Sequence, residues 1–399
     1  MFRSFFFAGF ECATGYNARG EWIDQIAATH HDQHADHDYQ LLHDVGIYTA
    51  REAIRWPLVD RAGTYDFSSV EPFLAASRRY GIEVIWDMFH YGYPDDLDPF
   101  STEFVRRFAD YCYAAAMHIC ANQEGICYFT PVNEPSFFSW AGGTVGHFAP
   151  HCFDRGPELK QALIRAAIEG INAIRAAVPT ARIVNVDPLC HVLPAADTPE
   201  GIHAAEQFNS QAVFESWDML AGRLMPELGG SRAHLDIVGV NYYWTNQWIL
   251  GQDERPLPED HPGRARLRDL IKDVYERYGG DVLVTETAHV DDMRPKWLNQ
   301  VEDETIALLN DGVPLRGICL YPILGMPEWH DQAQWTRMGL WELEAHETKL
   351  ERRLFQPMYE ALKKAQRIEA DLRKIPRMLD GNNVGTGGNG SDEIRIRRC

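Results

Sequence analysis

Short apolar runs recur eight times along this chain, each followed by an amphipathic stretch, and together they leave few architectures open. The runs are residues 5–10, 47–54, 82–89, 126–132, 182–186, 236–241, 282–285 and 317–321. At four to eight residues they are too short for buried helices, and they are nearly continuous in apolar character. Parallel strands covered on both faces read this way. Helical patterning falls between them, near residues 35–44, 70–80, 103–121, 158–177, 204–220, 267–278, 302–310 and 350–367. Gly46 and Gly81 stand where two of these helices must stop and the next strand begin. Eight strands alternating with eight helices predict a single (β/α)₈ TIM barrel over residues 1–379.

Residues 380–399 differ in kind, being rich in Gly and Asn, and are expected to be disordered. Gly385 to Gly390 spells GxGxxG, but no strand precedes it and too little chain follows for a helix, so a dinucleotide site is not expected. The formal charge of −20 argues against a nucleic-acid partner, which needs a basic face. No apolar run is long enough to cross a membrane. The patch at Phe5-Phe6-Phe7 reads as the first strand and not as a leader. The eight cysteines show no CxxC pair and no regular spacing, so no disulfide framework is expected and a cytoplasmic setting is.

Two of the strands end in a glutamate. Thr130-Pro131-Val132-Asn133-Glu134-Pro135 closes the fourth run, and Pro135 biases Glu134 out of the α region, towards extended backbone. Val284-Thr285-Glu286-Thr287 closes the seventh. The C-terminal ends of barrel strands are where such folds carry chemistry, and the fourth and seventh strands face each other across the mouth. Two carboxylates over one cavity suit glycosidic cleavage, one giving a proton to the leaving oxygen and one attacking the anomeric carbon. The ionised member makes the other hold its proton. One competing pattern is His30, His34 and His37, spaced to share a helix face and hold a metal; the alternative is a solvated helix entry. No HExxH, GxSxG or P-loop is present, and no cofactor or metal is expected.

At these residues the chain resembles the retaining β-glycosidases of clan A, and most of all glycoside hydrolase family 1. Residues 130–135 are similar to that family's T-x-N-E-P motif with one residue inserted, and Glu286 stands in the place of its T-E-N-G glutamate. The resemblance implies Glu134 as acid and then base, Glu286 as nucleophile, Arg51 as its ion partner and Tyr243 as its hydrogen-bond donor. It implies His90, Asn133, Asn241, Tyr321, Glu328 and Trp329 around the sugar, and Arg337-Met338-Gly339-Leu340 echoes a further family segment. Three departures concern the sugar pocket. Tyr16 aligns with a sugar-binding Gln, Tyr321 replaces a Trp, and Glu11 is an extra acid with no counterpart, counted here as substrate-binding.

The expected activity is hydrolysis of a small β-linked glycoside by double displacement. Arg51 beside Glu286 would keep it anionic, Asn133 could donate to the sugar 2-hydroxyl, and Trp329, Trp335 and Trp341 could stack on sugar faces. Two alternatives stay open: a transglycosylase using the same covalent intermediate, and a catalytically silent sugar-binding barrel.

Overall fold

Each of the eight runs becomes a strand in the computed structural model, which describes residues 2–253, 255–344 and 349–374. They are β1 (Phe6–Gly9), β2 (Thr49–Ala53), β3 (Glu83–Asp87), β4 (Tyr128–Thr130), β5 (Arg182–Pro188), β6 (Ile237–Asn241), β7 (Asp281–Thr287) and β8 (Leu315–Leu320). Every strand pairs in parallel with its sequence neighbours, and β8 pairs with β1 to close the barrel. The fold is the predicted (β/α)₈ barrel. The tail from residue 380, with its GxGxxG, lies outside the described residues.

Side-chain alternation along the strands sorts the chain into two cores. Phe7, Ile85, Tyr128, Val184, Val186, Ile237, Leu283 and Cys319 fill the barrel, with Phe2 packed beneath them. The other faces of the strands pack under the helices in the larger cluster. The same alternation splits two neighbouring charges on β2. Arg51 points into the barrel and Glu52 points out to the helix His31–Asp44.

That outward glutamate explains the histidine-rich segment. His31 is fully buried, with Nδ1 2.7 Å from Asp38 and Nε2 2.9 Å from Glu52, and it stacks on Phe10 at 3.6 Å. Arg352 also ion-pairs with Asp38, whereas Glu52 Oε2 is buried without a partner. Burial disfavours the imidazolium, but Glu52 and Asp38 outweigh it and raise His31 to about 9. His31, the one histidine of the segment that the metal spacing leaves out, is thus a structural residue clamped between two buried carboxylates that favour its cation. Replacing it by Ala leaves the buried Glu52 without its cation and with the Tyr39 hydroxyl as its remaining donor, and should cost about 3–5 kcal/mol in denaturant unfolding. In the unaltered protein the pair's stabilisation is complete below the ordinary histidine pKa. It should fall away as pH rises through about 9, seen as a declining melting temperature.

Several elements depart from expectation, among them the helix expected at 302–310, which begins at Arg294. The stretch 204–220 is not one helix but Pro199–Ser210, a 3₁₀ turn at Ala212–Phe214 and Glu215–Leu220. The break lets Trp217 reach the middle of β5, where it donates to the Asn185 carbonyl at 3.1 Å, and brings the Ser216 hydroxyl within 2.8 Å of Ser136. The last helix begins at Gln356 because Arg353–Leu354 first pairs with Trp341–Glu342. A helix at Pro135–Gly143 was not expected, although a proline at a first helical position is its ordinary signature. Cys120 and Cys127 are paired as a disulfide, a single link that the cysteine spacing did not suggest. None of the described helices is long and apolar enough to cross a membrane.

Candidate active site

Beyond β4 the chain continues along the barrel rim. Asn133 N donates to the Phe89 carbonyl at 2.9 Å and Glu134 N to the Val186 carbonyl at 3.1 Å. Glu134 is left-handed, at φ 48° and ψ 62°, and not extended as expected. Pro135 does exclude the right-handed helical region for its predecessor. The remaining helical well is the one that both keeps the Val186 bond and lets the Glu134 carbonyl accept from Phe138 in the first turn of Pro135–Gly143. For a non-glycine this costs on the order of 1–2 kcal/mol, a strain typical of functional sites.

Glu286 occupies β7 opposite it. Arg51 Nη1 lies 2.5 Å from Glu286 Oε1, and the Tyr243 hydroxyl donates to Oε2 at 2.8 Å. Arg51 is spent on more than this one partner. Its Nε and Nη2 donate to Asp87 at 3.0 and 2.7 Å, and Nη2 also donates to Asn133 Oδ1 at 2.6 Å. Burial opposes the charge on both groups, yet the pairing outweighs it. Asp87 is held below the usual carboxylate range and Arg51 well above the usual guanidinium.

Two paths join the glutamates, one ending on Thr285, next to Glu286 in the chain, and one hydrogen-bonded throughout by way of Tyr91, Asn133 and Arg51. Asn241, the register partner of Glu286, donates to Glu134 Oε1 at 2.9 Å and accepts from Thr285 at 2.7 Å. On the other side Tyr91 donates to Glu134 Oε2, and Asn133 Nδ2 donates to the Tyr91 hydroxyl at 3.1 Å. Asn133 and Asn241 are fully buried, and both position carboxyl partners. Glu134 is 8% exposed and Glu286 4%. Burial first, and then the charge of Glu286, push the Glu134 carboxyl up to about 8, against the pull of Tyr91 and Asn241.

The remaining expected residues divide. His90 Nδ1 lies 3.0 Å from Asp87, and its Nε2 faces Asn133 and the Tyr321 hydroxyl at 3.3 and 3.5 Å. Tyr321 lies buried over β1, where Gly9 makes room: a Cβ there would stand 2.0 Å from its ring. Trp329 donates to Glu11 at 3.3 Å and packs edge-on against Tyr91, so both reach the site. Glu328 does not. It is exposed and accepts from Thr336 across a small hairpin, because the chain alternates sides there and sends Trp329 inward. Trp341 is a core residue at 3% exposure, and Trp335 is half-buried in the same hairpin as Glu328. Tyr16 is tied to Asp95 at 3.1 Å.

Sequence reasoning missed three residues. Asp87 had a signal, since a charge at the end of a fully buried strand needs a partner. Tyr91, left-handed at φ 70°, had only its place beside His90. Asp187, at the end of β5, accepts from the backbone and hydroxyl of Ser136 at 3.0 and 2.6 Å, and burial raises it to about 6. Replacing Tyr91 by Phe removes a bond that favours ionised Glu134. The carboxyl should then rise by about one further pH unit, read as an upward move of the alkaline limb of a pH–rate profile.

Among the described residues one trio, Cys12, Asp87 and His90, brings metal-type ligand atoms within 4.8 Å of one another. The donors do not suit an ion. Asp87 gives both oxygens to Arg51, and burial pushes the Cys12 thiol well up, away from the thiolate a metal needs.

No protein-family model and no curated protein matches the chain. Solved structures do. A β-glucosidase from Thermotoga maritima in complex with glucoimidazole superposes with a TM-score of 0.72 at 17% identity, over 92% of this chain and 98% of that one. The same organism's family 1 β-glucosidase gives 0.72 at 17%, over 91% and 98%. Its deoxynojirimycin complex gives 0.71 at 18%, over 92% and 98%. At these identities the likeness establishes a shared (β/α)₈ fold.

Proposed function

We propose that this chain is a glycoside hydrolase that cleaves a β-linked glycoside with retention of configuration. The observation that carries the reading is the asymmetry of the Glu134–Glu286 pair. One carboxyl is ion-paired to a buried arginine, and the other is pushed towards keeping its proton near neutrality. The fold shared with the Thermotoga maritima β-glucosidases, solved with glucoimidazole and deoxynojirimycin, supports the same reading.

In the first step Glu134 gives its proton to the glycosidic oxygen while a Glu286 oxygen attacks the anomeric carbon. The bond to the leaving group breaks and a glycosyl ester forms on Glu286. Both oxygens of Glu134 accept hydrogen bonds, Oε1 from Asn241 and Oε2 from Tyr91, which fix the carboxyl in place for the transfer. In the second step Glu134 takes a proton from water, whose oxygen attacks the anomeric carbon and releases Glu286. Arg51 and Tyr243 hold Glu286 in line, and His90, Asn133 and Tyr321 border the sugar.

A panel of aryl β-glycosides tests the activity, and proton NMR of the first-formed sugar tests the stereochemistry. The β-anomer should appear first and then mutarotate. Initial α-anomer would mean inversion, for which the carboxyls stand farther apart than the roughly 5–5.5 Å of retaining enzymes. Loss of every aryl glycoside in the panel would leave a sugar-binding barrel.

A further inference from the structure

Glu11 is a third carboxylate in the mouth, and the two-step chemistry leaves it without a task. It follows β1 and is 6% exposed. Its Oε1 accepts the Ala13 N–H at 2.9 Å and the Trp329 indole N–H at 3.3 Å. No donor among the described residues reaches Oε2. The side chain lies within the electrostatic reach of Glu286 and His90, and Tyr91, Tyr243 and Tyr321 feel it in turn. Trp329, which holds Oε1, packs on Tyr91, and Tyr91 holds Glu134. Glu11 is thus tied to the same network as the glutamate pair, and Oε2 is its oxygen without a donor among the described residues.

The charges in the mouth are lopsided. Four acids gather there, Glu11, Asp87, Glu134 and Glu286, of which Glu134 is inclined to keep its proton and burial raises Glu11, and Arg51 is the one Lys or Arg among the described residues that contacts any of them. Its donors go to Asp87, Glu286 and Asn133. Among the described residues no Lys or Arg is left there to receive an anionic substituent. Glu328, the acid expected to hold sugar hydroxyls, is exposed and accepts from Thr336 instead.

We propose that Glu11 Oε2 docks the non-reacting side of the sugar and restricts the site to glycosyl groups that donate hydrogen bonds and carry no negative charge. Paired hydroxyls or a sugar ammonium would both satisfy it, whereas a uronate or sugar phosphate would meet like charge in a buried place. This selectivity rests on the glycosidase reading for its location, but binding alone can test it.

The experiment is calorimetric binding of phenyl 1-thio-β-glycosides, which resist cleavage, to the full chain and to Glu11→Gln. The ligands are the glucoside, glucosaminide and glucuronide, with their galacto-configured counterparts. In the configuration that binds, the uronide should be weaker than the neutral glycoside by about tenfold or more, the effect of one like charge at close range. Glu11→Gln keeps the shape and the Oε1 acceptor, and should shrink that gap to about threefold or less. An amino sugar that binds tighter than its neutral parent, with the advantage lost in Glu11→Gln, identifies the ammonium; equal binding identifies hydroxyls. A uronide that binds as well as the neutral ligand, a ratio unmoved by Glu11→Gln, or no binding of any of the six would overturn the proposal. Charge-selective binding by a chain that cleaves no aryl glycoside would leave the selectivity standing and defeat the glycosidase reading instead.

Discussion

Replacing Glu286 by Ala is expected to lower turnover of an aryl β-glycoside by on the order of 10⁴-fold or more, because the covalent step loses its nucleophile. The loss should not come from unfolding. Arg51 keeps its Asp87 and Asn133 bonds when Glu286 is gone, so the buried guanidinium still has partners. A melting temperature near that of the parent, with activity gone, is the expected pair of readings. Azide added to this variant should fill the vacated space, attack from the same face and give the α-glycosyl azide. A variant that keeps more than about a tenth of parental activity would show that Glu286 is not the attacking group.

Removing Glu134 should act unevenly across substrates, and that unevenness is its signature. General-acid assistance contributes about 10²–10⁴-fold when the leaving group is poor, and little when it is a good one such as dinitrophenolate. Glu134→Ala should therefore lose about that factor on alkyl or disaccharide substrates and far less on activated aryl glycosides. Equal losses on both would exchange or discard the assigned roles. The pH dependence follows from the same group. The acid works only while protonated, so kcat/KM of the unaltered enzyme should fall as pH rises through about 8. That limb should vanish in Glu134→Ala assayed with activated substrates.

The barrel was legible in the sequence because strands buried on both faces leave continuous apolar runs, and all eight runs matched strands. The glutamate pair was legible for a related reason: each acid ends such a run, and strand order alone sets Glu134 across from Glu286. What stayed hidden depends on contacts between distant segments. Pro135 pointed to extended backbone for Glu134, whereas the residue is left-handed, with its N–H on the Val186 carbonyl. Tyr91 looks like any loop aromatic until Glu134 is brought to its hydroxyl. Glu328 and Trp329 are adjacent, and only the hairpin geometry decides which of them faces the cavity. The histidine pattern pointed at surface spacing, whereas the histidine that matters, His31, is set by Glu52 on a strand 21 residues away.

The central claim is a glycosyl ester on Glu286. A 2-deoxy-2-fluoro glycoside with a good leaving group slows both steps but the second most, so the ester accumulates. Mass spectrometry of the intact protein, followed by peptide mapping, locates it. The account predicts one added fluoroglycosyl group, carried by the peptide containing Glu286 and absent from Glu286→Ala. Label on any other carboxylate, or hydrolysis of aryl glycosides with no label at all, would contradict it.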